Sequence, residues 1–178
     1  MIWVMIGLVI FAALSRVLLY PLHIYFSPVI AMALFGGACF TDKKYSYVLP
    51  LLAMFFSDLM FEFFFVAPGF WGWGQLVNYA ALLLVTLLGF SLKKLSILNV
   101  AAASIASSLI FFVVSNTGVW IFDTTTYARD LSGWLSCLVM GIPFLKNGLI
   151  ADISYAAVLF GGYSLVFSRL RFATADKH

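Results

Sequence analysis

Six runs of mostly apolar residues, at about 1–20, 27–41, 46–66, 74–92, 97–122 and 147–168, leave little polar surface from which to build a water-soluble fold. A transmembrane helix needs roughly 20 such residues in a row. Charged residues make up only 10% of the 178, hydrophobic residues 64%, and mean hydropathy is +1.08. An ordinary soluble chain is about 25% charged. The chain therefore reads as an all-α membrane protein, a bundle of about six transmembrane helices in one integral domain, 1–178. That excludes a cytosolic enzyme and a disulfide-stapled secreted domain. A net charge of +3, scattered along the chain, also excludes a nucleic-acid module.

The basic residues give the expected orientation. Lys43 and Lys44 fall between the second and third runs, Lys93 and Lys94 between the fourth and fifth, and Arg169, Arg171 and Lys177 after the last. These are alternate connections, whereas 21–26, 67–73 and 116–133 hold one base, Arg129. The positive-inside rule then puts both termini in the cytoplasm of a six-span, multi-pass protein. Residues 131–145, interrupted by Pro143, are too short to span comfortably and suggest a short re-entrant or interfacial helix before the last span. A seventh span there would carry Arg169 and Arg171 outside. The second run is also short, and its Gly36-Gly37 pair suits close helix packing or a local break. No basic residue precedes the first run, which continues past Arg16 to Tyr20, so it is read as a helix rather than a signal peptide.

Ionisable side chains at membrane depth are costly and usually face a cavity or a partner. Arg16, Asp58, Glu62, Lys146 and Asp152 qualify. At 1.5 Å per residue, Asp58 lies roughly 18 Å from the cytoplasmic end of its span, Glu62 and Asp152 roughly 24 Å, and Arg16 roughly 22 Å. Lys146 lies near the outer boundary, and Asn78 and Asn116 fall in the same outer half. Five helices thus place polar groups in one layer. Either the layer is structural, with Arg16 and Lys146 neutralising the carboxylates, or it lines a pocket for a polar solute. Asp58 and Glu62, four apart, share one helix face as carboxylates aimed at one spot would.

Four of the five tryptophans, Trp71, Trp73, Trp120 and Trp134, fall on the outer side. They suit an interfacial aromatic belt. The glycine-flanked segment Pro68-Gly69-Phe70-Trp71-Gly72-Trp73-Gly74 also suits a lid over a pocket that Trp120 would help line. Phe61 to Phe65 read as lipid-facing surface, and Ala101 to Ser108 as a small-residue packing or docking face. Cys39 and Cys137 fall near opposite ends of the bundle and cannot bond. His23 and His178 are too few for a metal site, there is no Gly-rich phosphate loop, and the spans hold no hydrolase or metalloprotease spacing. No cofactor, metal or enzymatic activity is expected.

Ser27-Pro28 through Gly37-Ala38, Leu49-Pro50-Leu51, Ser57-Asp58-Leu59, Ser115-Asn116-Thr117-Gly118-Val119-Trp120, Gly141-Ile142-Pro143-Phe144 and Asp152 through Gly161 resemble a family of small bacterial membrane proteins with no established activity. The resemblance covers roughly 15–165, with Cys39 standing where an aromatic is common. That family is in turn similar to the substrate-binding S components of energy-coupling factor (ECF) transporters. This likeness implies a bacterial inner-membrane protein that binds a small polar or vitamin-like solute for uptake. It also implies an ECF transmembrane coupling subunit and cytoplasmic ATPases as partners. The candidate substrate-binding residues are Arg16, Asp58, Glu62, Asn78, Asn116, Trp120, Lys146 and Asp152. A non-transport scaffold or assembly subunit is the alternative.

Overall fold

The computed structural model describes residues 2–19, 27–64, 69–70 and 72–175, with side chains described from Gly7 onward at most positions of the first helix and up to Leu165 in the last. His23, Trp71, Lys177 and His178 lie outside the described residues, as do Pro68 and the side chains of Arg169 and Arg171. Among the described residues there are six helices and no strand: α1 (Ile2–Leu19), α2 (Val29–Cys39), α3 (Lys43–Phe63), α4 (Trp73–Ser91), α5 (Ile97–Phe122) and α6 (Leu131–Ala175).

Local signals set the helix starts. Asp42 caps α3 by accepting from the Lys44 amide at 2.9 Å, and Ser96 caps α5 by accepting from the Asn99 amide at 3.2 Å. Each satisfies a backbone donor that the first turn leaves free. Gly72 enters α4 at φ +77°, a left-handed conformation that glycine adopts without steric cost. At the start of α6, Asp130 Oδ1 accepts from the Gly133 amide at 2.8 Å.

The bundle is organised around α2. This helix is apolar all round, and Val29 and the whole stretch 31–37 are buried. A helix of that kind belongs inside a structure. It contacts α3, α4, α5 and α6. The closest approach is to α4, at Gly37 and Gly89. A Cβ added at Gly37 would lie against the Thr86 carbonyl and 2.9 Å from the Gly89 α-carbon. The Gly36-Gly37 pair therefore serves close packing, and the helix runs through it unbroken. In lipid, where apolar contact with the bilayer competes with apolar contact between helices, such backbone proximity supplies much of the packing energy. Ser46 of α3 adds a polar tie, donating from Oγ to the Gly36 carbonyl at 2.8 Å. Its own carbonyl has no helical donor, because Pro50 lacks the N–H that would reach it.

α3, α4, α5 and the Leu131–Leu165 part of α6 are long and apolar enough to cross a membrane. Their outward faces carry exposed Phe55, Phe56, Leu84, Leu109 and Val158, as a lipid-facing surface requires. α2, with 11 residues, is only about 17 Å long against a hydrocarbon core of about 30 Å.

Two local expectations are corrected. Residues 131–145 do not form a separate short helix. They are the first third of the 45-residue α6, which passes through Pro143 without a break. Gly133, Cys137 and Gly141, spaced by four, are all buried: Gly133 packs against Ala128 of the connection, while Cys137 and Gly141 let this segment lie along α5 at Asn116 and Phe112. Cys137 Sγ donates to the Asn116 carbonyl at 3.3 Å, and Trp134 Nε1 to Thr117 Oγ1 at 3.0 Å. Continuous support from α5 offsets the hydrogen bond that Pro143 removes. In the phenylalanine run, Phe63 and Phe64 are exposed as expected, but Phe61 is buried beneath the Arg16 guanidinium, 5.2 Å from its ring centre.

Candidate functional site

The polar residues separate into two groups. The first joins α1, α3 and α4 around Asp58, which is 2% exposed. Arg16 Nη1 donates to Asp58 Oδ1 and to Ser57 Oγ, each at 2.6 Å. Ser57 in turn donates to the Met54 carbonyl at 2.8 Å. On the other carboxylate oxygen, Asp58 Oδ2 accepts from Gln75 Nε2 at 2.6 Å and from the Tyr79 hydroxyl at 3.1 Å. Both oxygens are satisfied and the charge is paired. The arrangement meets the conditions under which a buried ion pair persists.

The same group fixes the chain that enters α4. Glu62, exposed and one turn beyond Asp58, accepts from the Gly69 amide at 3.0 Å, while Gln75 Nε2 also donates to the Gly69 carbonyl at 3.2 Å. Gly69 lies so close to α3 that a Cβ there would collide with the Asp58 carbonyl. Asp58 and Glu62 therefore have different targets: the Asp58 carboxylate meets the Arg16, Gln75 and Tyr79 side chains, and Glu62 meets the Gly69 backbone.

The second group surrounds Asp152 of α6, which is 1% exposed. Ser108 Oγ donates to Asp152 Oδ2 at 2.6 Å, but the same hydroxyl lies 3.1 Å from the Ser104 carbonyl, so one proton faces two acceptors. Asp152 Oδ1 is buried and has no hydrogen-bond partner. Asp152 lines a cavity of about 210 Å³ between the start of α2, the middle of α5 and α6 beyond Pro143. Its other polar lining residues are Ser27, Ser108, Ser115 and Asn116. Phe111, Phe112 and Phe144 supply aromatic wall, and Gly148 leaves open space beside it.

Of the residues singled out in the sequence, Asn116 and Asp152 meet at this cavity; Arg16, Asp58 and Glu62 belong to the other group. Lys146 is exposed, is absent from the cavity wall and makes no ion pair with Asp152. Arg16–Asp58 is the one ion pair among the described residues. Asn78 Oδ1 is buried without a donor, away from the cavity lining. Trp120 does not line the cavity either. Its Nε1 donates to the Ala128 carbonyl at 2.8 Å, and its own carbonyl accepts from Arg129, which also lies over its ring. Trp73, part of the expected lid, is 71% exposed. Gln75, Tyr79 and Ser108 were not singled out in the sequence. The four-residue spacing of Gln75 and Tyr79 on a mostly apolar helix was the available signal for that pair. Ser108 was hidden in a stretch that reads as packing.

Apolar helices long enough to cross a bilayer, enclosing buried carboxylates, define a polytopic α-helical membrane protein. The chain belongs to a family of unknown function, DUF6580, whose match covers residues 1–175. Comparison with curated proteins and with solved structures returns no match.

Proposed function

We propose that this protein is a substrate-binding membrane subunit for uptake of a small polar solute, with the Asp152 cavity as its binding site. The observation carrying this reading is the buried, unpartnered Asp152 Oδ1 on a residue that lines a cavity. A carboxylate at membrane depth costs at least about 2.5 kcal/mol unless it is solvated or paired, and a ligand would provide that partner. The volume argues for a solute at the small end of the range, since sites for drug-sized molecules run to about 300–1,000 Å³. The Asp58 group, being saturated, serves as scaffold in this reading.

The wider setting follows the resemblance to ECF S components. It is a bacterial inner membrane, both termini in the cytoplasm, with energy supplied by a coupling subunit and ATPases, because the chain has no phosphate-binding loop of its own. Cysteine labelling should find Lys43 and Lys93 inside and the 123–130 connection outside.

The binding reading is tested by thermal unfolding of the purified protein against a panel of small amines, alcohols, amides and carboxylates. At least one class should raise the transition, and Gly148→Leu, which fills the cavity, should remove the response. A folded wild type that responds to no class would instead favour a scaffold or assembly subunit.

A further inference from the structure

We propose that the Asp152 cavity selects a small organic cation, an ammonium head on a short apolar body. This inference rests on the binding reading above and adds the charge of the ligand. Accounting for the protons on the wall leads to it. Ser108 already spends its single proton on Asp152 or on the Ser104 carbonyl. The Ser115 hydroxyl donates to the Phe112 carbonyl at 3.3 Å, and Asn116 Nδ2 donates to the same carbonyl at 2.8 Å. The Ser108 and Ser115 protons and one of the two Asn116 N–H groups are thus engaged within the protein, while Asp152 Oδ1 remains a buried acceptor without a partner. The one acceptor left without a partner is a carboxylate oxygen, and it calls for a donor on the guest.

Charge points the same way. No basic side chain is among the residues lining the cavity. Arg16 is committed to Asp58, and Lys146 is exposed on the adjoining turn of α6. The carboxylate would repel an anion and gain little from an ether or ketone. Phe111, Phe112 and Phe144 complete the chemistry, because aromatic ring faces attract cations and recur around ammonium ligands. The size of the cavity limits the apolar body to a few carbons.

The test uses the purified full chain in nanodiscs and measures binding by calorimetry at constant sodium chloride. Ethylammonium and tetramethylammonium are the cationic probes, with ethanol and tert-butanol as neutral counterparts and acetate as the anion. The cations should bind and the others should not. Asp152→Asn should weaken cation binding at least about tenfold, as removal of a buried charge partner does. Phe111→Leu should weaken it about threefold through loss of ring attraction. Tyr79→Phe, in the other polar group, should leave binding unchanged and shows that the assay reports the cavity. Should Asp152→Asn fail to fold, Phe111→Leu and the neutral probes still decide the matter. Equal binding of the alcohols or preference for acetate would overturn the cation assignment. Each of these still leaves a cavity that binds, whereas the binding reading itself fails only when no class in the panel responds.

Discussion

Asp58 and Asp152 sit in helices of one bundle, both almost wholly removed from solvent, and their surroundings differ in one respect. Asp58 has donors on both oxygens from side chains of two other helices, α1 and α4, including a guanidinium. Asp152 has one shared hydroxyl and an oxygen with nothing. Burial alone therefore does not distinguish the two carboxylates. Completeness of the donor set does.

The sharpest way to break the comparison is to remove Arg16. Arg16→Met strands a buried charge and should destabilise the protein by about 3–5 kcal/mol in chemical unfolding. Replacing Asp58 by Leu in the same chain should recover most of that loss. If the double variant is as unstable as the single one, the pair is not what holds α1 to α3. Tyr79→Phe takes one donor from the same carboxylate and should cost about 1.5–3 kcal/mol, the range for a hydrogen bond to a charged group.

At Asp152 the expected sign changes. Asp152→Asn removes an incompletely satisfied buried carboxylate and keeps an oxygen for Ser108, so stability should stay within about 1 kcal/mol or rise. A loss as large as that of Arg16→Met would mean that Asp152 is structural after all. The smallest effect belongs to a third carboxylate, Asp123, in the α5–α6 connection. Hydrogen bonds from Thr126 and Thr125 hold it well below the usual carboxylate range. A depressed folded value means that its contribution is present above the unfolded value near pH 4 and fades as pH falls toward the folded one. Protection of the Thr125 and Thr126 amides, measured as exchange relative to the intrinsic rate at each pH, should therefore fall on acidification below about pH 4, and Asp123→Ala should remove that dependence.

Much of the fold is legible in the sequence, because apolar runs and capping residues act locally. The runs at 74–92 and 97–122 correspond to helices Trp73–Ser91 and Ile97–Phe122. Residues 131–145 misled because length and Pro143 are local signals, whereas the packing of Cys137 and Gly141 against α5, along which α6 runs unbroken, is not. Depth along each helix was legible for one pair, since it brought Arg16 and Asp58 to similar heights and the two are in contact. Rotation about the helix axis was not. That angle decides whether a carboxylate meets Gln75 and Tyr79 or only Ser108, and it depends on neighbours that no single helix encodes.

The shortness of α2 also explains why the molecule has a hollow at all. Lipid-facing helices must match the thickness of the bilayer, but α2 is shielded by its neighbours and is free of that demand. It begins only at Val29, and the cavity lies at that end, bounded by Ser27 and Ile30. A full-length span in the same place would have filled the space opposite Asp152 with side chains. Where α2 begins, α5 and α6 run past it, and their residues from Ser108 to Asn116 and from Phe144 to Asp152 bound the cavity.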